Sequence, residues 1–254
     1  MLCFEAMRTR TGGAALEFLL ARAPDTRERH AIVGRLSGTP RTVLDAGGVP
    51  GLLSRYLPRK AKVVTANVAP PADLLVQGVE LPVEDDSFDL VTSVDVLEHI
   101  PPADRAAFIG ELVRAANRRV VLCCPFGSPE HQAGEAQLLD WYERVTGEHH
   151  QWLSEHVQNG LPTDDELRAA FDPWTTHRPG TSITFCYHGD FRRSMAQLKE
   201  ATLAMSDGIA AKAGLAIKWL GYRRDLRLAA QPTPWTNRVF VRLDRDQSRG
   251  PFSA

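Results

Sequence analysis

Two short segments of the chain have the residue types and spacing of a ligand site. Residues 42–51 contain a short apolar strand that carries Asp45 and runs into a glycine-rich turn. Residues 86–100 contain a second apolar strand, followed by Asp95 and a Leu-Glu-His triplet. Ligands of open α/β sheets bind beyond the carboxyl ends of the strands, and glycine lets the backbone approach them closely. The two segments therefore predict a ligand site where these strands end.

Alternating strands and helices must position the two segments. Strands are predicted at Thr42–Ala46, Ala61–Ala66, Asp73–Val76, Phe88–Val94 and Arg119–Cys124. Helices are predicted from Pro50 to Leu57 and over residues 101–116, whereas the proline-rich residues 69–71 leave no room for a helix between the second and third strands. Continuous apolar strands are typical of a parallel sheet covered on both faces. The pattern predicts an α/β fold with a doubly wound, mostly parallel sheet.

The chain changes character from residue 127 onward. Helices are predicted at Glu135–Val145, Asp164–Phe171 and over most of Phe191–Leu228, and strands at Thr181–Tyr187 and Arg238–Leu243. We expect a single domain with four parts. These are an N-terminal helical cover over residues 1–40 (with helical pieces in 12–36), a core over 41–126, a helical lid or insertion over 127–237, and a final strand with a tail over 238–254.

In their order and separation, the two ligand-site segments resemble the class I S-adenosylmethionine (SAM) dependent methyltransferases. The likeness is to type 11-like small-molecule enzymes, which carry the pattern D-x-SFD-x-V-x-S followed by LEH. The resemblance implies a seven-stranded, Rossmann-like sheet with an antiparallel final strand. It also implies SAM as cofactor and S-adenosylhomocysteine as product, with SAM bound by the core and the acceptor by the lid. An NAD enzyme is disfavoured because Gly47, Val49 and Asn67 do not fit the dinucleotide fingerprint.

The same resemblance assigns the cofactor contacts. Asp45 is expected near the methionine ammonium, and Val49 replaces the middle glycine of the family's turn. Asn67 stands where the family has an acidic residue that holds the ribose hydroxyls; an amide keeps hydrogen bonds but loses the charge. We therefore expect weakened but retained SAM binding. The predicted cofactor-binding residues are Asp45, Gly47, Gly48, Gly51, Asn67, Val79, Glu80, Leu81, Ser93, Asp95 and Val96.

Two histidines are the candidate catalytic residues, since histidine is the usual general base when the acceptor is a hydroxyl. His99 follows the fourth strand and is expected near the methyl group, with a structural cap of the next turn as its alternative role. His156 shares a helical face with Trp152, and this face either lines an acceptor pocket or packs on the core. No H-E-x-x-H spacing occurs, so we predict no metal site.

The composition limits the classes of partner that we expect for this protein. The 254 residues carry a net charge of −1, with 43% hydrophobic and 24% charged residues, as is usual in soluble proteins. No basic stripe indicates a nucleic-acid partner. No apolar run predicts a membrane span, no secretory signal is evident, and the four cysteines lack metal-site spacing. We expect a cytoplasmic protein with a small-molecule acceptor, in which residues 191–228 can mediate a homodimer.

The sequence thus predicts a methyltransferase that uses SAM to methylate an oxygen or nitrogen of a small biosynthetic acceptor, with sugars and natural products as candidates. Val49 and Asn67 keep a second interpretation open. In that interpretation, the chain binds SAM without catalysis and serves as a scaffold module.

Overall fold

The computed structural model describes residues 23–177 and 180–245, in which seven strands form one sheet with the order β3-β2-β1-β4-β5-β7-β6. The strands are β1 (Thr42–Ala46), β2 (Lys62–Asn67), β3 (Leu74–Leu75), β4 (Phe88–Val94), β5 (Ala116–Pro125), β6 (Thr181–Asp190) and β7 (Thr236–Arg245). Strands β1 to β5 pair in parallel, and β7 runs antiparallel to both β5 and β6. The predicted Rossmann-like sheet with an antiparallel final strand is confirmed.

The strand order reverses between β1 and β4. β1 pairs with β2 on one side and with β4 on the other, and Asp45 is in register with Thr92. The carboxyl ends of β1 and β4 are therefore level with each other at the switch in strand order, where ligands of such sheets bind. The two segments singled out in the sequence meet at this point.

Helices cover both faces of the sheet. They are α1 (Pro24–Ser37), α2 (Pro102–Ala115), α3 (Pro129–Thr146), α4 (Gln151–Asn159), α5 (Asp164–His177), α6 (Phe191–Ser206) and α7 (Ile209–Leu220). Ile32 of α1 packs in a cluster with Val121 of β5, whereas Leu112 of α2 packs in another cluster with Val120. Since neighbouring residues of a strand point to opposite faces, α1 and α2 lie on opposite sides. The doubly wound arrangement is confirmed.

Several predicted elements differ in length from those observed. The helix predicted at Pro50–Leu57 is reduced to a 3-10 turn at Leu53–Tyr56, and the predicted Phe191–Leu228 helix is two helices that end at Leu220. Gly208, with a φ of 91°, separates α6 from α7 because this backbone conformation cannot continue a helix. α5 continues past Pro173, and Trp174 in its last turn packs on the core. The helical piece predicted over residues 12–22 lies outside the described residues.

Three of the helices that follow β5 and β6 contact one another. α3 contacts α4 and α6, and α4 also packs on the 3-10 turn Leu97–His99 that follows β4. α7 leaves Ile209, Ile217 and Leu220 exposed, and the homodimer contact predicted for this region remains a prediction. None of the described helices combines the length and the apolar character needed to cross a bilayer.

Candidate functional site

The turn after β1 needs glycine at two positions. Gly47 has a φ of 82° and donates its N–H to the Ala66 carbonyl, and a Cβ at Gly47 would overlap the side chain of Val96. A Cβ at Gly48 would overlap the carboxylate of Asp45. The turn therefore lies between the carboxylate of Asp45 and the segment that follows β4, and side chains at Gly47 and Gly48 would not fit there. Gly51, in contrast, has open space around it.

Asp45 is a buried carboxyl group with little compensation for its charge. Its side chain accepts a hydrogen bond from Thr92 Oγ1 at 2.9 Å, and the residue is 3% exposed. Burial raises the pKa of Asp45 to about 6, and the bond from Thr92 offsets only part of this effect. No cation of the described chain forms an ion pair with this carboxylate. An ammonium group of a ligand would supply that charge, so Asp45 fits the role expected of it.

Asn67 holds the glycine turn. Its Nδ2 donates to the carbonyl oxygens of Gly47 and Gly48, both at 3.2 Å, and its Oδ1 accepts from the N–H of Val68 at 2.8 Å. The amide expected to bind ribose is thus bound to backbone at both ends. One lone pair of Oδ1 remains to accept a ligand hydroxyl.

The turn expected to contact adenine is only partly available to a ligand. Val79 is half-buried and Glu80 is exposed. Leu81 lies in the core, where its N–H donates to Glu111 and its carbonyl accepts from Arg114. Contact with adenine at Leu81 would therefore be made without its backbone polar groups, and Val79 and Glu80 are the more accessible residues.

The residues after β4 form an ion network that spacing did not predict. Ser93 is buried within the sheet. Asp95, with a φ of 54°, faces Arg29 of α1 across 2.8 Å and Arg238 of β7 across 3.3 Å. Asp25 of α1 belongs to the same network. Burial alone would raise the pKa of Asp25, but the charges of Arg238 and Arg29 outweigh burial and hold this pKa below its ordinary value. The network fixes α1 and β7 against the segment expected to border the cofactor.

The two candidate catalytic histidines face each other. His99 Nδ1 lies 2.7 Å from Glu155 Oε2, and His156 Nδ1 lies 2.9 Å from Glu135 Oε2. The Nε2 atoms of the two rings are 3.4 Å apart. Each ring thus has a carboxylate at its Nδ1 and turns its Nε2 towards the other ring. The structure thus brings together two residues that are 57 positions apart.

A third group joins this pair. Glu98 is 1% exposed, and burial together with Asp95 raises its pKa. Its Oε2 has no hydrogen-bond partner among the described residues. A carboxylate oxygen of Glu98 and one ring nitrogen from each of His99 and His156 lie within 4.8 Å of one another. These three residues are named here the Glu-His-His cluster.

Arg105 fixes the geometry of the cluster, although nothing in its sequence position indicates this. It is 2% exposed, and its guanidinium donates to the carbonyls of Leu97 and Ile100 on one side. On the other side it donates to the Gly160 carbonyl and to Glu166. Arg105 therefore joins the turn that carries His99 to the end of α4, the helix that carries His156.

The histidines and the tryptophan that precede His156 in residues 149–152 do not join the cluster. His149 is exposed and pairs with Glu143 at 2.7 Å. His150 caps α4 by accepting from the N–H of Leu153, and burial lowers its pKa to about 4. Trp152 is half-buried, with its ring 6.3 Å from that of His150. Of the face predicted to line an acceptor pocket, only His156 reaches the cluster.

An open cleft of about 490 Å³ lies between α3 and α6, near the start of β7. Leu138, Met195 and Trp235 contribute apolar wall, and Lys199 contributes a cation. Phe191, another wall residue, stacks on His131 with a centroid distance of 4.5 Å. His131 Nε2 in turn lies 3.6 Å from Glu135, the carboxylate that orients His156. A chain of contacts through His131 and Glu135 thus connects the wall of the cleft to His156.

Comparisons with known proteins identify the family of the chain. Residues 15–157, more than half of the chain, match the family described as "Methyltransferase domain". No curated protein matches the chain.

Solved structures show the same fold. The YcgJ protein from Bacillus subtilis is 13% identical with a TM-score of 0.50, and the alignment covers 87% of this chain and all of that one. The plantazolicin methyltransferase BamL, solved with a desmethylPZN analog and S-adenosylhomocysteine, is 13% identical with a TM-score of 0.53, covering 95% of this chain and 93% of that one. At such identity these likenesses concern the fold alone, and the family follows from the sequence match. The chain belongs to the methyltransferase domain family and is a SAM-dependent methyltransferase.

Proposed function

We propose that this methyltransferase acts on an oxygen or nitrogen of a small biosynthetic molecule. The observation that carries the proposal is the close approach of His99, in the turn that follows β4, to His156 of α4, with 3.4 Å between their Nε2 atoms. The cluster begins at Glu98, two residues after Val96, whose side chain limits the space at Gly47. A reacting acceptor must sit next to the sulfonium methyl group, and this is the place where polar side chains are available to it.

The cofactor would bind across the carboxyl ends of β1, β2 and β4. Asp45 would take the methionine ammonium, the turn Gly47–Gly51 would approach the ligand closely, and Asn67 Oδ1 would accept a ribose hydroxyl. Val79, Glu80 and Leu81 would flank the adenine, while Asp95 and Val96 would border the methionine and adenine, with the buried Ser93 behind them. SAM supplies the reactive methyl group, so the chain's own residues have to align the acceptor and exclude water.

The acceptor would enter through the cleft between α3 and α6. Trp235 contributes an aromatic ring to the wall with Arg192 over one face of it, and Lys199 favours an acceptor with a negative group. The lid over residues 127–237 would therefore select the acceptor. An acceptor hydroxyl must lose its proton on methylation, and the Glu-His-His cluster would handle that proton.

Two measurements test the proposal. Calorimetric titration of the full chain with SAM and S-adenosylhomocysteine, with NADH as control, should give saturable binding of the sulfur ligands only. Incubation with SAM and a panel of sugars, phenols and amines should then give a product heavier by one methylene, detected by mass spectrometry. Folded protein that binds neither sulfur ligand contradicts the proposal. Binding without any methylated product across the panel favours the scaffold interpretation instead.

A further inference from the structure

We propose that Glu98, His99 and His156 bind a divalent transition-metal ion of the Zn²⁺ type. The binding site itself goes beyond the proposed methyl transfer and can be tested without it. No spacing motif in the sequence predicts such a site, because its ligands come from the turn after β4 and from α4, a separate helix.

The protonation pattern of the two histidines leaves two lone pairs facing each other. An ionised carboxylate only accepts hydrogen bonds, so Glu155 and Glu135 each require the Nδ1 of their histidine to carry the hydrogen. In the neutral rings both Nε2 atoms are then acceptors. Two acceptors at 3.4 Å repel each other unless a cation lies between them. That cation is either a single proton or a metal ion.

The distances fit a metal ion. Zn²⁺ binds imidazole nitrogen at about 2.0–2.1 Å in tetrahedral sites, which separates two such ligands by about 3.4 Å. The observed Nε2–Nε2 distance is 3.4 Å. A carboxylate oxygen of Glu98 and one ring nitrogen of each histidine lie within 4.8 Å of one another, so Glu98 is the third group that would complete a His-His-Glu ligand set. Two imidazoles and one carboxylate, with further positions open, is a ligand set found in catalytic zinc sites.

Glu98 itself supports the same assignment. It is 1% exposed and its Oε2 has no hydrogen-bond partner in the described part of the chain. Buried polar atoms without partners are rare and costly. Arg238 lies near enough to Glu98 to affect it electrostatically, yet forms its ion pairs with Asp25 and Asp95. A metal ion would satisfy this oxygen.

The carboxylates behind the histidines complete the pattern. Metal-binding histidines commonly donate their second ring hydrogen to a carboxylate, which fixes the ring and raises its basicity. Glu135 and Glu155 occupy these positions, and Glu135 is itself buried. Together with Glu98 they place three acidic groups around two imidazoles.

The role of the ion rests on the proposed function. An ion held by three side chains leaves a position for an acceptor hydroxyl and increases its acidity. With the ion bound, the two Nε2 atoms are occupied, so the hydroxyl proton passes to solvent and not to a histidine. The O–CH₃ bond then forms as the S–CH₃ bond breaks, and S-adenosylhomocysteine leaves. This role favours an oxygen acceptor over a nitrogen acceptor.

The test measures metal binding directly on the full chain. Chelator-treated protein is titrated with Zn²⁺ by calorimetry and with Co²⁺ by visible absorption. We expect one Zn²⁺ per chain and visible bands from coordinated Co²⁺. His99→Ala and His156→Ala should lose both signals, and Glu155→Gln should weaken Zn²⁺ binding by about tenfold or more. His149→Ala, which removes an exposed histidine outside the cluster, is the matched control and should bind like wild type.

Three outcomes overturn the inference: wild type that binds no ion, ligand variants that bind as wild type does, or a control that loses binding equally. Circular dichroism checks that each variant is folded. Binding of S-adenosylhomocysteine is measured on the same samples and should persist in all of them. Wild type that binds no Zn²⁺ but still binds S-adenosylhomocysteine contradicts only the metal site. Absence of cofactor binding from folded wild type contradicts the proposed function.

Discussion

The side-chain amide of Asn67 donates to the carbonyl oxygen of Gly47 across 3.2 Å, so the residue that closes β2 also holds the turn after β1. The same amide reaches the carbonyl of Gly48 at 3.2 Å. Aspartate or glutamate, which the family pattern places here, has no hydrogen to donate when ionised. Asparagine at this position therefore matches this turn conformation, and the departure from the pattern has a structural cause.

We predict that Asn67→Asp destabilises the protein, even though aspartate is the residue that family resemblance favours for binding ribose. The variant loses two hydrogen bonds and places a carboxylate against two carbonyl oxygens. We expect a decrease of about 1–3 kcal/mol in the free energy of unfolding at neutral pH. Urea denaturation of wild type, Asn67→Asp and Asn67→Ala measures it, with the alanine variant separating lost bonds from added charge. An aspartate variant at least as stable as wild type would show that the turn does not depend on this amide.

Gly48→Ala should impair both folding and cofactor binding. The added Cβ would overlap the carboxylate of Asp45, which lies directly against this glycine. Neither group can move freely, because Asp45 is buried and bonded to Thr92. We expect a loss of about 1–3 kcal/mol of stability, as for other overpacked sites, and weaker binding of S-adenosylhomocysteine.

The matched control for this prediction is Gly214→Ala. Gly214 lies inside α7 with open space around it, so alanine should stabilise the helix by about 0.5–1 kcal/mol. Thermal unfolding and calorimetry on both variants give the comparison. Equal effects of the two substitutions would mean that the space above Asp45 is not limiting.

Much of the fold was accessible from local sequence patterns. Buried strands such as Val120–Cys124 are continuous apolar runs, and this signal survives because both faces of β5 are covered. The resemblance then supplied the number of strands and the antiparallel final strand, which periodicity alone cannot give. The helix expected at Pro50–Leu57 failed because just Leu53 and Leu57 of it are buried; packing of so short a segment supports no more than one 3-10 turn.

The site was predicted less completely, for a physical reason. Asp45 and the glycine turn lie within one segment, so their proximity is local. His99 and Glu155, 56 positions apart, meet only because α4 packs on the turn after β4. Arg105 reads in the sequence as an ordinary charged helix residue, and its burial depends on carbonyls from distant segments. Contacts of this kind depend on tertiary packing, which residue spacing does not encode.

Arg105→Lys should disturb the Glu-His-His cluster without touching it. A lysine ammonium cannot reproduce the planar, branched set of hydrogen bonds that Arg105 makes to Leu97, Ile100 and Gly160. We expect a loss of about 3 kcal/mol in unfolding free energy, the usual cost of disrupting a buried charged network. Arg168→Lys, at a half-exposed ion pair with Asp164, is the control and should cost about 0–1 kcal/mol. Denaturant titration of both variants measures the two losses in unfolding free energy. Equal losses would contradict the role of Arg105 in joining the turn after β4 to the end of α4.

Asp45 should make the protein less stable as the pH rises from about 4 towards 6. Its pKa is about 6 in the folded protein and about 3.9 in the unfolded chain, so the folded state holds the proton more tightly. The resulting stabilisation is fully present below the unfolded pKa and is lost as the pH approaches the folded one. Asp45→Asn removes this dependence. Relative to wild type, the variant should gain about 2–3 kcal/mol between pH 4 and pH 7. Urea denaturation measures the unfolding free energies of both proteins. A difference between them that stays constant across this pH range would contradict the prediction.

Cofactor binding should have the opposite pH dependence, because the ligand ammonium requires the ionised form of Asp45. Above about pH 6 the carboxylate is charged and the affinity for S-adenosylhomocysteine should be constant. Below it, protonated Asp45 must lose its proton before it can pair with the ammonium, so affinity should fall by up to about tenfold per pH unit. Calorimetry between pH 5 and pH 8 measures this dependence. Asp45→Asn should bind more weakly at pH 8 and show no inflection near pH 6. Wild type with a flat profile, or a variant that keeps the inflection, would place the ammonium elsewhere.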